Sequence, residues 1–195
     1  VVQTALAAQG IDAPMRRIAT SPPATRRRAT VAGRRLRNGA LVGFHGRASH
    51  TVVAVPDCQV LHPALLAALP ACEALTATMG PRRAELRIAL TASPVGADID
   101  LQDARDPTAD DRTTLAELAA EHGIARSSVG GEPVIAAAPP AQSFDGIAVV
   151  PPPGAFLQAT AHGEQTLRAA VAEAGGPARR IVDLFAGCGT FALPL

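Results

Sequence analysis

The chain has 195 residues, which is enough for a sizeable hydrophobic core and for one or two small domains. Its composition is 48% hydrophobic and 18% charged, and this excludes an intrinsically disordered chain. The formal net charge of +1 hides an asymmetry, because every basic residue is arginine and residues 1–50 contain nine arginines against one acid, Asp12. A basic front half predicts a polyanionic partner, whereas the aspartates around Asp98 to Asp111 predict a solvated loop.

Hydropathy and the number of cysteines indicate in which cellular compartment the protein is located. No apolar run is long enough to span a membrane, and residues 1–10 lack the basic start and the cleavage site of a signal peptide. The three cysteines, Cys58, Cys72 and Cys188, are widely spaced and odd in number, which fits a reducing environment better than a disulfide framework. We therefore expect a cytoplasmic protein without a membrane partner, and a monomer.

The periodicity of apolar residues predicts a mixture of strands and helices. Alternation of apolar and polar residues is typical of half-exposed strands, and Leu- and Ala-rich stretches that end at glycine are typical of helices. The predicted helices are Val1–Gln9, Pro63–Met79, Thr113–His122 and Gly163–Ala174. The predicted strands are Arg26–Arg37, Leu41–Arg47, Thr51–Val55, Ala84–Ala92, Ala97–Leu101, Ile124–Val129, Pro133–Ala138, Ile147–Val150 and Arg179–Phe185.

The run Pro151–Pro153 predicts a domain boundary. Consecutive prolines are stiff and cannot continue a β-ladder. We therefore expect an α+β domain over residues 1–150, and the opening unit of an α/β domain over residues 151–195.

The strongest functional signal is the turn Gly187-Cys188-Gly189, which follows an apolar run. Glycines let a backbone approach a ligand closely, and the start of a helix offers free N–H groups. The turn also fits the loose dinucleotide pattern, which would indicate NAD or FAD. Asp183 lies four positions before the first glycine, and its carboxylate repels a pyrophosphate but attracts the cationic S-adenosylmethionine. The other interpretation is a turn without a ligand, in which Asp183 is a local cap.

The position of this turn predicts that the chain is a piece of a longer protein. A doubly wound domain that begins at Asp183 needs further strands and helices, and the sequence ends at Leu195. The abrupt start at Val1 predicts a missing N-terminal part as well.

Several segments together resemble one family. Asp183–Leu195, which reads DLFAGCGTFALPL, is similar to the first cofactor motif of the RNA uracil-C5 methyltransferases, which make 5-methyluridine in ribosomal and transfer RNA. The other matching segments, in the order of the family, are Ser21–Pro23 with Arg26–Arg28, Leu41–Phe44 with Ser49-His50, the cysteine turn Asp57–Pro63 and the Phe-x-Gln element Pro153–Gln158. The resemblance covers nearly the whole chain.

The resemblance implies a fold and a reaction. It implies an α+β central domain that binds RNA, followed by the truncated start of a class I, Rossmann-like methyltransferase domain. In this family a cysteine thiolate adds to C6 of the uracil, the methyl group of S-adenosylmethionine is transferred to C5, and a base removes the C5 proton. The family's nucleophile and base would lie beyond Leu195. We therefore expect no catalytic residue in this chain, and no activity from the chain alone.

The resemblance also implies roles for single residues. Gln158, Phe185 and Thr190 would contact the cofactor, and Gly187 and Gly189 would shape its turn. With Asp183, these make six predicted cofactor-binding residues. The residues expected to contact RNA are Arg26, Arg27 and Arg28.

Cys58 is the one metal ligand that the resemblance implies. In many bacterial members of the family, this turn supplies the fourth ligand of a [4Fe–4S] cluster. The role requires three further cysteines before Val1, and without them Cys58 is an ordinary thiol. The histidines show no metal-ligand spacing, so no zinc site is expected.

Two other functions stay open at the level of sequence. One is a non-catalytic, arginine-rich RNA-binding module with a vestigial nucleotide fold. The other is a dinucleotide-dependent enzyme. For the chain by itself we expect weak binding of S-adenosylmethionine or none, because a single parallel strand lacks the neighbours that would cover it.

Overall fold

The computed structural model describes residues 1–15 and 18–195, and it shows a mixed α/β protein. The helices are α1 Val2–Ala8, α2 Pro63–Met79, α3 Ala109–His122 and α4 Ala161–Gly175. The strands are β1 Arg28–Leu36, β2 Gly39–His45, β3 Val52–Val53, β4 Leu86–Ser93, β5 Gly96–Gln102, β6 Ile124–Val129, β7 Glu132–Ala136, β8 Gln142–Phe144 and β9 Ile147–Val149. None of these helices is long and apolar enough to cross a bilayer.

Seven strands form one sheet in the order β3-β2-β1-β4-β5-β6-β7, and β8 and β9 form a separate hairpin. Neighbouring strands of the sheet are antiparallel except β5 and β6, which are parallel. A parallel pair needs a crossover connection, and α3 provides it.

The hydrophobic core lies between the sheet and the helices α2 and α3. In β1 the core side is taken by odd-numbered residues such as Ala29 and Val31. Gly33 continues this side where α2 comes closest, because a Cβ at Gly33 would lie 2.3 Å from the Oγ1 of Thr76. Only glycine lets the helix pack this tightly on the strand.

The other side of the sheet carries buried charges. The guanidinium of Arg126 donates two hydrogen bonds to the carboxylate of Asp98, at 2.8 and 2.7 Å, and a third to the carbonyl oxygen of Pro151 at 2.8 Å. Gly154 also lies on this side, because a Cβ there would be 3.0 Å from Oδ2 of Asp100. The proline-rich segment therefore runs across the charged side of the sheet and covers it.

Most of the predicted elements are confirmed, and α2 has the predicted bounds. The mixed α/β class is confirmed, while the division at residue 150 stays a prediction. The prediction of a solvated acidic loop is wrong for Asp98 and Asp100, which are 6% and 3% exposed in β5. Of the hairpin strands, β9 was predicted and β8 was not. The signal was present, because Asp145 and Gly146 at the turn form an Asp-Gly pair and both have positive φ.

The predicted strand Arg179–Phe185 is wrong: these residues form no strand. Val182 and Leu184 are 79% and 81% exposed, although they belong to the apolar run that indicated a buried strand. An apolar run becomes a parallel strand only beside other strands, because its backbone N–H and C=O groups need partners and its two faces need cover. Among the described residues, no neighbouring strand pairs with residues 179–185 and no element packs over both of their faces.

The start of α3 is held by a capping box that should respond to acid. The side chain of Thr108 accepts from the N–H of Asp111, and Asp111 accepts from the N–H of Thr108. The hydrogen bonds from Arg105, and then those from Thr108, hold the pKa of Asp111 well below its usual value. A carboxyl with a lowered native pKa stabilises the fold at pH values above its unfolded pKa, and this stabilisation is lost as the pH falls towards the native pKa.

We therefore expect the free energy of unfolding to decrease as the pH falls below about 4, and to decrease less in Asp111→Asn. Urea unfolding at a series of pH values measures both curves. Asp110→Asn is the matched control, since Asp110 is the exposed neighbour in the same turn. Parallel curves for Asp111→Asn and the unchanged protein would contradict this role of the carboxylate.

Candidate cofactor site

A cavity of about 370 Å³ brings together four of the six residues that the sequence predicts to bind the cofactor. The four are Gln158, Phe185, Gly187 and Thr190. The other lining residues are Pro152, Ala155, Phe156, Ala186, Cys188 and Phe191. The cavity thus lies between the proline-rich segment and the glycine turn, which are far apart in the sequence.

The proline-rich segment places Gln158 at one wall. Its neighbour Leu157 is 1% exposed and points into the protein, whereas Phe156 is 66% exposed. The carbonyl of Gln158 accepts a hydrogen bond from Nε of Arg27 at 3.3 Å, and the carbonyl of Ala159 accepts one from the N–H of Arg27 at 2.9 Å. Arg27, directly before β1, therefore holds the backbone at Gln158 and Ala159 in place.

The glycine turn forms the opposite wall. Gly187 and Gly189 have φ values of +55° and +83°, a backbone conformation that residues other than glycine rarely adopt. The N–H of Gly189 donates to the carbonyl of Ala186 at 2.8 Å, and the N–H of Leu193 donates to Gly189 at 3.0 Å. Gly189 does not line the cavity, but a Cβ there would meet Leu193 at 2.6 Å, so its part is to shape the turn.

Asp183 does not reach the cavity. Its Oδ1 accepts a hydrogen bond from the N–H of Phe185 at 3.2 Å, which is the local cap considered above. The residue lines a different cavity of about 270 Å³, together with Arg179 and Ile181 among others. The charge argument that favoured a cationic cofactor therefore has no support from the position of this carboxylate.

The three predicted RNA-binding arginines lie in different surroundings. Arg27 is mostly buried, and its Nη2 donates to the buried carboxylate of Glu164. Arg28 lies over the ring of Phe156, with its guanidinium carbon 5.0 Å from the ring centre. Arg26 is exposed, and its Nε donates to the carbonyl of Arg28 at 3.2 Å. Arg26 thus lies at the surface and Arg28 lies over a ring that lines the cavity, whereas Arg27 joins the start of β1 to α4.

Two partners of Arg27 were not found from the sequence. Glu164 is 4% exposed although it is a charged residue in the first turn of α4, and Gln142 contacts Arg27 with its Oε1 at 3.5 Å. Gln142 also donates to the carbonyl of Ala92 at 3.0 Å. Their separations of 137 and 115 residues from Arg27 leave no local signal in the sequence.

The cysteines in the described residues are all free thiols. Burial raises the pKa of Cys72 to about 12, and burial also raises the pKa of Cys188 above its usual value. A thiol with a raised pKa remains protonated near neutral pH and is a weak nucleophile. Neither residue is suited to nucleophilic attack.

Cys58 is half-buried and packs against the hydrophobic core. Residues 59–62 pair with residues 24–26, as the N–H of Ala24 donates to Gln59 at 2.8 Å and the N–H of Arg26 donates to Val60 at 3.0 Å. Within residues 1–15 and 18–195, no group of three or more His, Cys, Asp or Glu side chains is placed to hold a metal ion. A [4Fe–4S] cluster therefore does not fit the described residues by themselves.

The known proteins that this chain is similar to are named as RNA methyltransferases. No protein-family model matches this chain. It is 34% identical to an uncharacterized RNA methyltransferase of Rhizobium meliloti over 99% of the chain and 46% of that protein, and 36% identical to one of Agrobacterium fabrum over 100% of the chain and 47% of that protein. It is 29% identical to the 23S rRNA (uracil(1939)-C(5))-methyltransferase of Tolumonas auensis, over 97% of the chain and 45% of that protein. The chain spans about half the length of the curated relatives it matches.

Proposed function

We propose that this chain, which belongs to the RNA methyltransferase family of its relatives, is the part of such an enzyme that holds RNA and forms one side of the pocket for S-adenosylmethionine. The acceptor would be C5 of a uridine in ribosomal or transfer RNA. The name of the Tolumonas auensis relative supports this acceptor.

One observation carries the proposal: Gln158, Phe185, Gly187 and Thr190 line one cavity. They were selected from the sequence, and two segments separated by about thirty residues bring them together. The cavity volume lies in the usual range for small-ligand sites, which runs from about 300 to 1,000 Å³. Phe185, Gly187 and Thr190 are neighbours in one turn, and Gln158 reaches the same space from the proline-rich segment.

Each wall of the cavity suits a different part of the cofactor. The rings of Phe156, Phe185 and Phe191 offer apolar faces for the adenine, and the amide of Gln158 offers a donor and an acceptor. The bare backbone of Gly187 allows close approach. When bound, S-adenosylmethionine supplies an electrophilic methyl group, and the residues of this chain would orient it and exclude water.

The uridine would be activated by a cysteine adduct at C6, as the resemblance implies. We propose that this cysteine comes from outside the present sequence. Cys72 and Cys188 have raised pKa values, and Cys58 does not line the cavity.

Calorimetry with the full-length protein tests the cofactor. We expect S-adenosylmethionine to bind and NAD not to bind, and Gln158→Ala to weaken binding about tenfold, the effect of losing about 1.4 kcal/mol of hydrogen bonding. Gln165→Ala is the matched control, because Gln165 is exposed and lies outside the cavity. Binding of NAD without binding of S-adenosylmethionine would favour the dinucleotide enzyme instead.

The acceptor is tested by methylation mapping. RNA from a strain that lacks the gene should miss 5-methyluridine at one or more positions, and the purified full-length protein with S-adenosylmethionine should restore it. Unchanged methylation in the deletion strain, together with no transfer in vitro, would overturn the proposal.

A further inference from the structure

A basic groove of about 450 Å³ lies at the end of the sheet where β1 ends and β4 begins. Its lining residues are Arg34, Arg35, His50, Arg82, Arg83, Ala84 and Glu85. Arg34 and Arg35 come from the last part of β1, and Arg82 and Arg83 come from the connection between α2 and β4. None of these residues lines the cofactor cavity, and the groove does not include Arg26, Arg27 or Arg28.

Glu85, the one carboxylate among the described residues that line the groove, is already engaged. Glu85 accepts a hydrogen bond from Arg34 at 2.8 Å and contacts Nε2 of His45 at 2.7 Å. The hydrogen bond with His45 is the main cause that lowers the pKa of Glu85. Four arginines against one glutamate leave three positive charges in excess.

Three of the arginines are available to an anion. Among the described residues no carboxylate forms an ion pair with Arg35, Arg82 or Arg83. Arg82 and Arg83 are exposed, and Arg35 is half-buried. Guanidinium groups present flat pairs of N–H donors, which match the oxygens of a phosphate.

The side of β1 that faces away from the core runs from the cofactor cavity to this groove. Even-numbered residues of β1 lie on that side, from Arg28, which stacks on Phe156 at the cavity, to Arg34 at the groove. Six residues of strand span roughly 20 Å. Arg87 lies between them as the strand partner of Ala32, and its contact with the exposed Asp103 is long, at 3.7 Å.

We propose that this basic groove binds the phosphate backbone of the substrate RNA, at a point roughly 20 Å along β1 from the cofactor cavity. The inference rests on the proposed function, because it takes RNA as the substrate. A chain of regularly spaced phosphates can reach both ends of β1, whereas a single small anion can occupy only one. The groove would hold the RNA in register while a uridine is presented near the cofactor.

The test is RNA binding by the full-length protein at a series of salt concentrations. A fluorescently labelled fragment of 23S rRNA is titrated with the unchanged protein and with the variant Arg35→Gln, Arg82→Gln, Arg83→Gln. We expect affinity to fall roughly 10- to 100-fold and the slope of log affinity against log salt to become shallower by about 2 to 3, as for the loss of three phosphate contacts. The binding of S-adenosylmethionine should not change.

Two control variants separate charge from folding. The Lys version of the same triple variant keeps the charge and should keep the salt slope within about one unit of the unchanged protein. Arg112→Gln removes one exposed arginine of α3 that does not line the groove, and should leave affinity unchanged. Thermal unfolding of each variant confirms that it is folded.

The outcomes distinguish this inference from the proposed function. If the unchanged protein methylates RNA but the Gln variant keeps its affinity and salt slope, the groove is not an RNA surface and the proposed function stands. If the Gln variant loses RNA binding but the unchanged protein transfers no methyl group, the groove is supported and the proposed function is wrong. If the unchanged protein binds no RNA at any salt concentration, both are wrong.

Discussion

Arg126→Met should lower the free energy of unfolding by about 3–5 kcal/mol, because it leaves the carboxylate of Asp98 buried without its cation. The two side chains are 8% and 7% exposed, and two short hydrogen bonds join them. The variant also removes the donor to the carbonyl of Pro151, which fastens the proline-rich segment to the sheet. Urea unfolding followed by circular dichroism measures the loss.

The double variant Asp98→Leu, Arg126→Met shows whether the loss comes from the unpaired charge. Replacing both partners of a buried ion pair by apolar residues is often close to neutral. We therefore expect the double variant to recover most of the stability that Arg126→Met loses. If the loss in the free energy of unfolding of the double variant equals the sum of the losses of the two single variants, the stabilisation does not come from the attraction between the two charges.

Local signals were enough for much of the secondary structure. The bounds of α2 follow from Pro63 in its first turn, from the cap provided by His62 and from Gly80 after its end. The alternation along β1 gave its two sides correctly, with Val31 buried and Thr30 exposed. These features depend on neighbours within a few residues, so one sequence contains them.

Contacts between residues that are distant in the sequence could not be predicted from such local signals. Asp98 and Asp100 were expected in solvent because runs of aspartate usually are solvated, yet β5 buries them against β6 and the proline-rich segment. Two hydroxyls in β6, those of Ser127 and Ser128, are also buried, and they have no hydrogen-bond partner among the described residues. Composition alone does not reveal which polar residue the sheet will bury.

The residues predicted for the cofactor site were chosen on two different grounds, a motif and a charge. Gln158, Phe185, Gly187 and Thr190 were selected through their resemblance to a family motif, and they line one cavity. Asp183 was selected through its charge, and the backbone places its carboxylate on its own turn instead. Phe185, Gly187 and Thr190 are neighbours in one turn, so the long-range feature is the position of Gln158 beside them, and the roles of all four stay predictions.

The arginine-rich segment is where sequence and structure differ in a way that matters for function. A run of three arginines indicated a nucleic-acid surface, but a strand turns neighbouring side chains to opposite sides. Arg26 is exposed and Arg28 lies over the ring of Phe156, whereas Arg27 between them reaches Glu164 and the carbonyl of Gln158. We therefore infer that Arg27 positions the cofactor wall, while contact of Arg26 and Arg28 with RNA stays a prediction.

Arg27→Met should lower the free energy of unfolding by about 3–5 kcal/mol, because Glu164 would be left buried and unpaired. It should also weaken the binding of S-adenosylmethionine by the full-length protein, since the carbonyl of Gln158 loses its hydrogen bond from Nε of Arg27 and only the bond from the N–H of this position to Ala159 remains. The matched control is Arg26→Met, in which an exposed arginine of the same segment is replaced and little stability should be lost. Adding Glu164→Leu to Arg27→Met should restore stability but not cofactor affinity, because the contact with Gln158 stays absent. Recovery of both properties in this double variant would show that Arg27 only neutralises Glu164 and does not position the cavity wall.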